Sequence, residues 1–266
     1  MARPAAVWAD GSAYEPYVGR WSRLVAQQFL AWLRMADAAA WLDVGCGTGA
    51  LSQTVLTAAD PAALVGVDPS PGFVAYARAQ LADRRARFVV ADARRLPLAD
   101  HRFDAVVSGL VLNFVPDPAQ AVRELARVTR PGGRVAAYVW DYAGRMELMR
   151  RFWDAAAALD PAAAELDEGR RFGICQPEPL AGSFRDAGLV EVDVRPIEVP
   201  TRFADFDDYW TPFLGGQGPA PRYAMSLDET ERAVLREELR ARLPVAVDGS
   251  ISLVARAWAV RGTPPS

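Results

Sequence analysis

The chain is 266 residues long, with 51% hydrophobic residues, 24% charged residues and a formal net charge of −3. That length suits one large α/β domain or a domain carrying a sizeable insertion, and that composition belongs to a globular protein with a true core. The slight acidity excludes long-range attraction to a nucleic-acid backbone, and because all 30 basic residues are arginines, Schiff-base and phosphate-loop lysines are excluded too.

The two cysteines, Cys46 and Cys175, form no CxxC pair, so neither a disulfide framework nor a metal site is expected. The start, "MARPAAVWADGSAYEP", lacks the apolar segment of a signal peptide, and no run approaches transmembrane length. The expected location is the cytoplasm, with no membrane partner and no nucleic-acid partner. Oligomeric state is unreadable from these features.

In chain order, a loop-like start leads to "WSRLVAQQFLAWLRM", where apolar residues recur at helical spacing. A strand follows at Ala40–Val44, then a helix from about Thr48 to Ala58. "ALVGVD" (Ala63–Asp68) is a second strand, and "PGFVAYARAQLAD" a helix with Pro71 near its start. "ARFVVAD" is a third strand, "RFDAVVSGLVLNF" contains a fourth, "AQAVRELARVT" is a helix after Pro118, and "GRVAAYVW" is a fifth strand. These strands are continuous apolar runs, as expected when both sheet faces are covered, and their alternation with helices predicts an open parallel sheet. Beyond Asp141, "RMELMRRFWDAAAALD" and "EPLAGSFRDAG" read as amphipathic helices, and "VEVDVRPIEV" and "ISLVARAWAV" as late strands finishing the sheet antiparallel.

The glycine-rich turn "LDVGCGTG" decides the chemistry. It lacks the lysine of a phosphate loop, and its G-x-G-x-G spacing departs from the G-x-G-x-x-G of a dinucleotide site. Asp43, two residues before the first glycine, sits poorly beside a pyrophosphate but suits a ligand bearing an ammonium group. An amino acid joined to a nucleoside fits, its carboxylate facing the glycine amides and helix N-terminus.

"LDVGCGTG", "VGVDPS", "VVADARRLPLADHRFDAVVS" and "RPGGRVAAYVW", in that order and spacing, resemble the class I S-adenosylmethionine-dependent methyltransferases, nearest the small-molecule branch related to quinone-biosynthesis enzymes. The resemblance covers about Asp43 to Asp141. It implies an α/β Rossmann-like methyltransferase fold: a seven-stranded, mostly parallel sheet with helices on both faces, the last strand antiparallel, and a helical cap insertion. The corresponding segments are an N-terminal lid and helix (1–36), a cofactor-binding core (37–141), a helical segment with a late strand (142–199), a substrate cap (200–248) and a final strand (249–266). The implied cofactor is S-adenosyl-L-methionine and the implied partner a small-molecule methyl acceptor.

The resemblance also implies site residues. Asp43 contacts the methionine ammonium, and Gly45, Cys46 and Gly47 pass close to the methionine moiety. Asp68 accepts from both ribose hydroxyls, Pro69 and Ser70 flank the adenine, and Asp92 and Ala93 bond to it. Ser108 and Leu110 line the methionine side. Singly, Asp43 or Asp92 would equally suit a helix or turn cap; three acids at strand ends of one sheet are better explained by a ligand. Cys46 is expected to be a small turn residue and His101 an exposed one.

In "YEPYVGRWSR", Arg20 is a candidate for the methionine carboxylate with Tyr17 nearby, or equally an ordinary ion-paired arginine. Substrate-lining candidates are Asn113, Trp140, Tyr209, Trp210 and Phe213. Phe206, Tyr209, Trp210 and Phe213 share one helical face, which would also suit the insertion's own core. A base, if the acceptor requires one, would come from Asp141, Tyr142, Asp208 or Tyr209, with helix capping the competing role for Asp141. "GGQGPAP" reads as a helix stop and connector, and Ser226 with Glu229 as a capping box. Two alternatives stand beside methyl transfer: a non-methylating reaction on the same scaffold, or a non-catalytic S-adenosylmethionine-binding partner.

Overall fold

The computed structural model describes residues 19–216 and 218–265. They divide into two compact units, one of residues 22–140, 174–197 and 257–265, the other of residues 19–21, 141–173 and 198–256 with residue 217 aside.

The first unit is built on the sheet. Among the described residues, seven strands form one sheet in the order β3-β2-β1-β4-β5-β7-β6. They are β1 (Ala40–Val44), β2 (Ala63–Asp68), β3 (Ala86–Val90), β4 (Phe103–Gly109), β5 (Thr129–Trp140), β6 (Val190–Phe203) and β7 (Ile251–Thr263). The last residues of β6 and the first of β7 belong to the other unit. β1 pairs in parallel with β2 on one side and β4 on the other, and β4 in parallel with β5. β7 runs antiparallel to β5, Val135 facing Gly262 and Trp140 facing Ala257. The antiparallel finish expected from the sequence is therefore present, with β7 inserted between β5 and β6.

This order positions the site. The chain runs outward from β1 through β2 to β3, then crosses back to lay β4 against the opposite edge of β1. Ligands of open α/β sheets bind outside the strand carboxyl ends where the order reverses, here beyond β1 and β4.

The helices of this unit follow local rules. They are α1 (Arg20–Leu33, all but its first two residues), α2 (Ala50–Ala58), α3 (Pro71–Gln80) and α4 (Pro118–Val128), joined later by Pro177–Asp186. Proline occupies the first turn of α3 and α4, where its missing N–H costs nothing. Asp117 caps α4 by accepting from the Gln120 N–H at 2.9 Å, and Ala121, Val122, Leu125 and Val128 form its buried stripe. β1 is buried from Trp41 to Val44, which explains its lack of polar alternation.

The second unit contains Glu147–Leu159, the short helices Glu168–Arg171 and Phe206–Trp210, Pro219–Ser226 and Glu229–Arg242. Its core is aromatic: Phe152 stacks on Phe213 with ring centroids 4.5 Å apart, and Tyr209 packs between Phe203 and Phe213. Two local expectations are corrected here. The connector expected at "GGQGPAP" already starts a helix at Pro219, because Pro219 suits a first helical turn. The capping box lies two residues later than expected, with Asp228 accepting from the Glu231 N–H at 2.8 Å and Glu231 accepting from the Asp228 N–H at 3.0 Å. Ser226 instead ends the preceding helix and donates its hydroxyl to the Tyr223 carbonyl.

Candidate functional site

The turn after β1 is held by β2. Val67 O accepts the amides of Gly45 at 2.7 Å and Cys46 at 2.9 Å, and Asp68 Oδ2 accepts the amide of Gly47 at 3.0 Å. These three amides are thus spent inside the turn. Of the partners expected for a ligand carboxylate, the glycine amides and the helix N-terminus, the Gly45 and Gly47 amides are engaged within the protein. Gly47 has a φ of 52°, and a Cβ there would meet nothing within 4 Å, so the turn opens onto free space. Gly45, at φ 76°, is hemmed in, since a Cβ would come within 2.5 Å of the Val111 side chain. The Cys46 side chain points away from the opening into a small core with Val74, Ala77 and Phe88, and burial pushes its thiol well above the usual range.

Asp43 is 1% exposed. Its Oδ2 accepts from Ser52 Oγ at 2.7 Å, and its Oδ1 has no hydrogen-bond partner among the described residues. Desolvation is the main reason its carboxyl is pushed up to about 7, with the nearby Asp68 adding to the rise and the Ser52 bond opposing it. Asp68 is buried at the end of β2, with Oδ2 on the Gly47 amide and Oδ1 accepting the Ser70 amide at 2.9 Å. Desolvation raises its pKa, and the two amide bonds oppose that. Each of its oxygens retains a lone pair for a further donor. Ser70 is also the N-cap of α3, accepting from Phe73 N, and Pro69 lies between it and Asp68.

Asp92 lies beyond β3, half-exposed, and is embraced by Arg94, whose Nη2 lies 2.6 Å from Oδ2. Hydrogen bonds from that side chain hold its carboxyl below the usual range. An adenine amino group would share Asp92 with Arg94. Ala93 is buried beside it.

At the end of β4, Ser108 is buried with its Oγ unpartnered, and Leu110 turns the chain with a φ of 62° while donating its amide to Tyr138 O at 2.8 Å. The 3₁₀ turn Leu112–Phe114 carries Asn113, whose Nδ2 and Oδ1 are both buried; like Ser108 Oγ, they have no partner among the described residues. Trp140, the last residue of β5, is buried. Asp43, Asp68, Ser108 and Asn113 therefore stand together at the carboxyl ends of β1, β2 and β4, three of them with orphaned polar atoms. An orphaned carboxylate oxygen and an open cradle at Gly47 fit an aminoacyl nucleoside.

Most of the remaining candidates lie in the second unit. Arg20 Nη1 donates to Asp208 Oδ1 at 3.0 Å, with its guanidinium 4.4 Å from the Trp21 ring centroid and 4.9 Å from that of Phe203. Its Nε and Nη2 have no hydrogen-bond partner among the described residues. Asp141 accepts from the amides of Gly144 and Arg145 at 3.0 and 2.8 Å and from Arg256 Nε at 2.7 Å, the arrangement of a turn cap fixed by an ion pair. Tyr209 donates its hydroxyl to Leu148 O at 2.9 Å, and burial raises its pKa. Trp210 and Phe213 are buried with it, and Tyr142 packs against Phe172. Tyr17 lies outside the described residues. His101 is exposed in its turn, as expected, its Nδ1 3.2 Å from Thr129 O.

Glu168 escaped sequence reasoning. It is buried against the Trp153 indole N–H, and desolvation pushes its carboxyl up to about 7. Its sequence context, "LDEGRR", reads as an exposed charged turn and gives no sign of this. Among the described residues, no group of three or more His, Cys, Asp or Glu could hold a metal ion, and no helix is long and apolar enough to cross a membrane.

A parallel sheet reversing at β1, a glycine turn and an acid at the end of β2 define a Rossmann-like α/β domain. Comparison narrows that class. Residues 42–137 match the family model described as a methyltransferase domain. The chain is 39% identical over 170 residues to a demethylmenaquinone methyltransferase of Roseiflexus sp. (strain RS-1), covering 58% of this chain and 69% of that one. It is 38% identical over 94 residues to a malonyl-[acyl-carrier protein] O-methyltransferase of Hahella chejuensis, covering 35% of this chain and 34% of that one. The structure of Haemonchus contortus phosphoethanolamine N-methyltransferase 2 in complex with S-adenosyl-L-methionine shares the fold, with a TM-score of 0.60 at 16% identity over 96% of this chain and 56% of that one. The chain belongs to the class I S-adenosylmethionine-dependent methyltransferase family.

Proposed function

We propose that this enzyme binds S-adenosylmethionine at the β1–β2–β4 ends and moves its methyl group to a small organic acceptor by in-line displacement. Asp43 takes the methionine ammonium, Asp68 the ribose hydroxyls, and Pro69, Ser70, Asp92 and Ala93 surround the adenine. The observation that carries this is the orphaned Oδ1 of Asp43. A buried carboxylate lacking a counter-charge is costly, and a ligand ammonium supplies both the charge and the missing donor. Asp68 serves a double role, bracing the turn through Gly47 while offering its remaining lone pairs to hydroxyls.

Bound there, the cofactor would supply a methyl group already activated by its sulfonium. The chain's own task is then to position the acceptor and exclude water, which buried residues such as Leu110, Leu112 and Trp140 favour. No base is assigned, since Asp141 and Tyr209 both have structural partners. The names of the relatives, demethylmenaquinone and malonyl-carrier methyltransferases, support a small organic acceptor.

The test is a screen of quinols and acyl thioesters for release of S-adenosylhomocysteine. Release with a methylated product is expected from at least one acceptor. A product formed without that release would overturn methyl transfer.

A further inference from the structure

We propose that the side-chain amide of Asn113 recognises the methyl acceptor, and that the acceptor is a phenolic or enolic hydroxyl compound rather than a carboxylic acid. This deepens the methyltransferase reading above and rests on it.

Asn113 is 9% exposed, yet neither Nδ2 nor Oδ1 has a partner among the described residues. A buried polar atom left unpaired costs roughly 1–3 kcal/mol, and this one side chain carries two. A serine hydroxyl can rotate to suit whichever neighbour arrives, so the orphaned Ser108 is adaptable. An amide is rigid and asymmetric, and it is satisfied only by a partner offering an acceptor to Nδ2 and a donor to Oδ1.

Position assigns that partner. Asp43 pairs in register with Val107, which places Ser108 just past the level of Asp43. From there the chain turns at Leu110, presses Val111 against Gly45, and reaches Asn113 in the next turn. Asn113 therefore stands at the rim of the methionine side, beyond the residue that closes on the glycine turn. Asp43, Asp68 and the Asp92–Ala93 turn answer the ammonium, ribose and adenine of the cofactor, and its carboxylate, an acceptor alone, would leave Oδ1 of Asn113 unpaired. What remains for Asn113 is the molecule receiving the methyl group.

The chemistry of the amide then selects among acceptors. A hydroxyl both donates and accepts, and satisfies Asn113 completely. A carboxylate only accepts: it would use Nδ2 but leave Oδ1 unpaired against a negative charge. A quinol-type ring fits this requirement, whereas a free malonyl carboxylate does not.

Calorimetry on the full chain loaded with S-adenosylhomocysteine tests this, using 1,4-naphthohydroquinone under anaerobic conditions and malonyl-coenzyme A as the two probes. The hydroquinone should bind more tightly. Asn113→Leu, of similar volume, should weaken the hydroquinone about tenfold or more, leave S-adenosylhomocysteine affinity unchanged and not lower the melting temperature, since it removes two buried orphans. Equal hydroquinone binding by both proteins, or preference for the malonyl thioester, would overturn the assignment. Loss of S-adenosylhomocysteine binding in Asn113→Leu would overturn it also, by moving the amide to the cofactor. If the wild-type protein binds S-adenosylhomocysteine but not the hydroquinone, the acceptor class is wrong, while methyl transfer is judged separately by the acceptor screen.

Discussion

Ser52 donates its hydroxyl to one oxygen of Asp43 at 2.7 Å, and the other oxygen, also buried, receives no donor from the described residues. Desolvation by burial, opposed by the Ser52 bond, raises the carboxyl from its ordinary 3.8 to about 7. Between those values the folded protein keeps a proton that the unfolded chain has lost, so stability falls as pH rises through that window. At about 1.4 kcal/mol per pH unit the full penalty above pH 7 is on the order of 4 kcal/mol. Asp43→Asn should therefore raise the melting temperature of the ligand-free protein near pH 8 and change it little near pH 4. Glu168 and Asp68 add slopes of the same sign to both proteins, so the difference between them reports Asp43 together with its coupling to Asp68. Parallel melting curves across pH would show that Asp43 is not a buried, uncompensated acid.

Gly45 should not tolerate a side chain. Its φ of 76° and the Val111 methyl groups 2.5 Å from a would-be Cβ impose separate costs. Gly45→Ala is expected to lose about 2 kcal/mol or more in denaturant unfolding, and Val111→Ala on that background should restore only the steric part. Full restoration would mean that the left-handed backbone carries no strain.

Asp68 should matter twice. Asp68→Ala releases the amides of Gly47 and Ser70 as well as any ribose hydroxyls, so it should lower stability by roughly 1–3 kcal/mol and weaken S-adenosylhomocysteine at least tenfold. Asp68→Asn keeps an acceptor oxygen and should be milder in both. Unchanged affinity in the alanine variant would remove Asp68 from the ribose site.

How legible this was in advance depended on the range of the interaction. The limits of β1 and β2 coincide with those read from apolar runs, because a strand covered on both faces must be apolar throughout. Asp43, Asp68 and Ser108 could be placed at strand ends from local pattern alone. Partners distant in sequence could not be foreseen. Asp141 is bonded to Arg256, 115 residues away, and Arg20 to Asp208, 188 away, and no local spacing announces either. The use of the Gly45 and Cys46 amides by Val67 was likewise invisible, because it depends on how β2 lies beside β1. Helix boundaries failed where two capping signals competed, as at Ser226 and Asp228.

Asp141 should prove structural. Its buried carboxylate holds Arg256 and two backbone amides, and removing one partner of such a pair costs roughly 3–5 kcal/mol. Asp141→Ala should lower the melting temperature sharply without changing the pH dependence of turnover. A variant that melts normally but has lost turnover would return Asp141 to the list of candidate bases.

The central claim is that Asp43 answers the ammonium of the cofactor. The most direct measurement is the calorimetric affinity of S-adenosylhomocysteine, which carries the same amino-acid group, near pH 8 and near pH 5.5. If the ammonium must meet an ionised Asp43, whose carboxyl titrates at about 7 in the free protein, affinity falls about tenfold for each pH unit below that value. Binding should be roughly 30-fold weaker near pH 5.5, with a proton released on binding there and the pH dependence abolished in Asp43→Asn. Equal affinity at both pH values in the wild-type protein would contradict it.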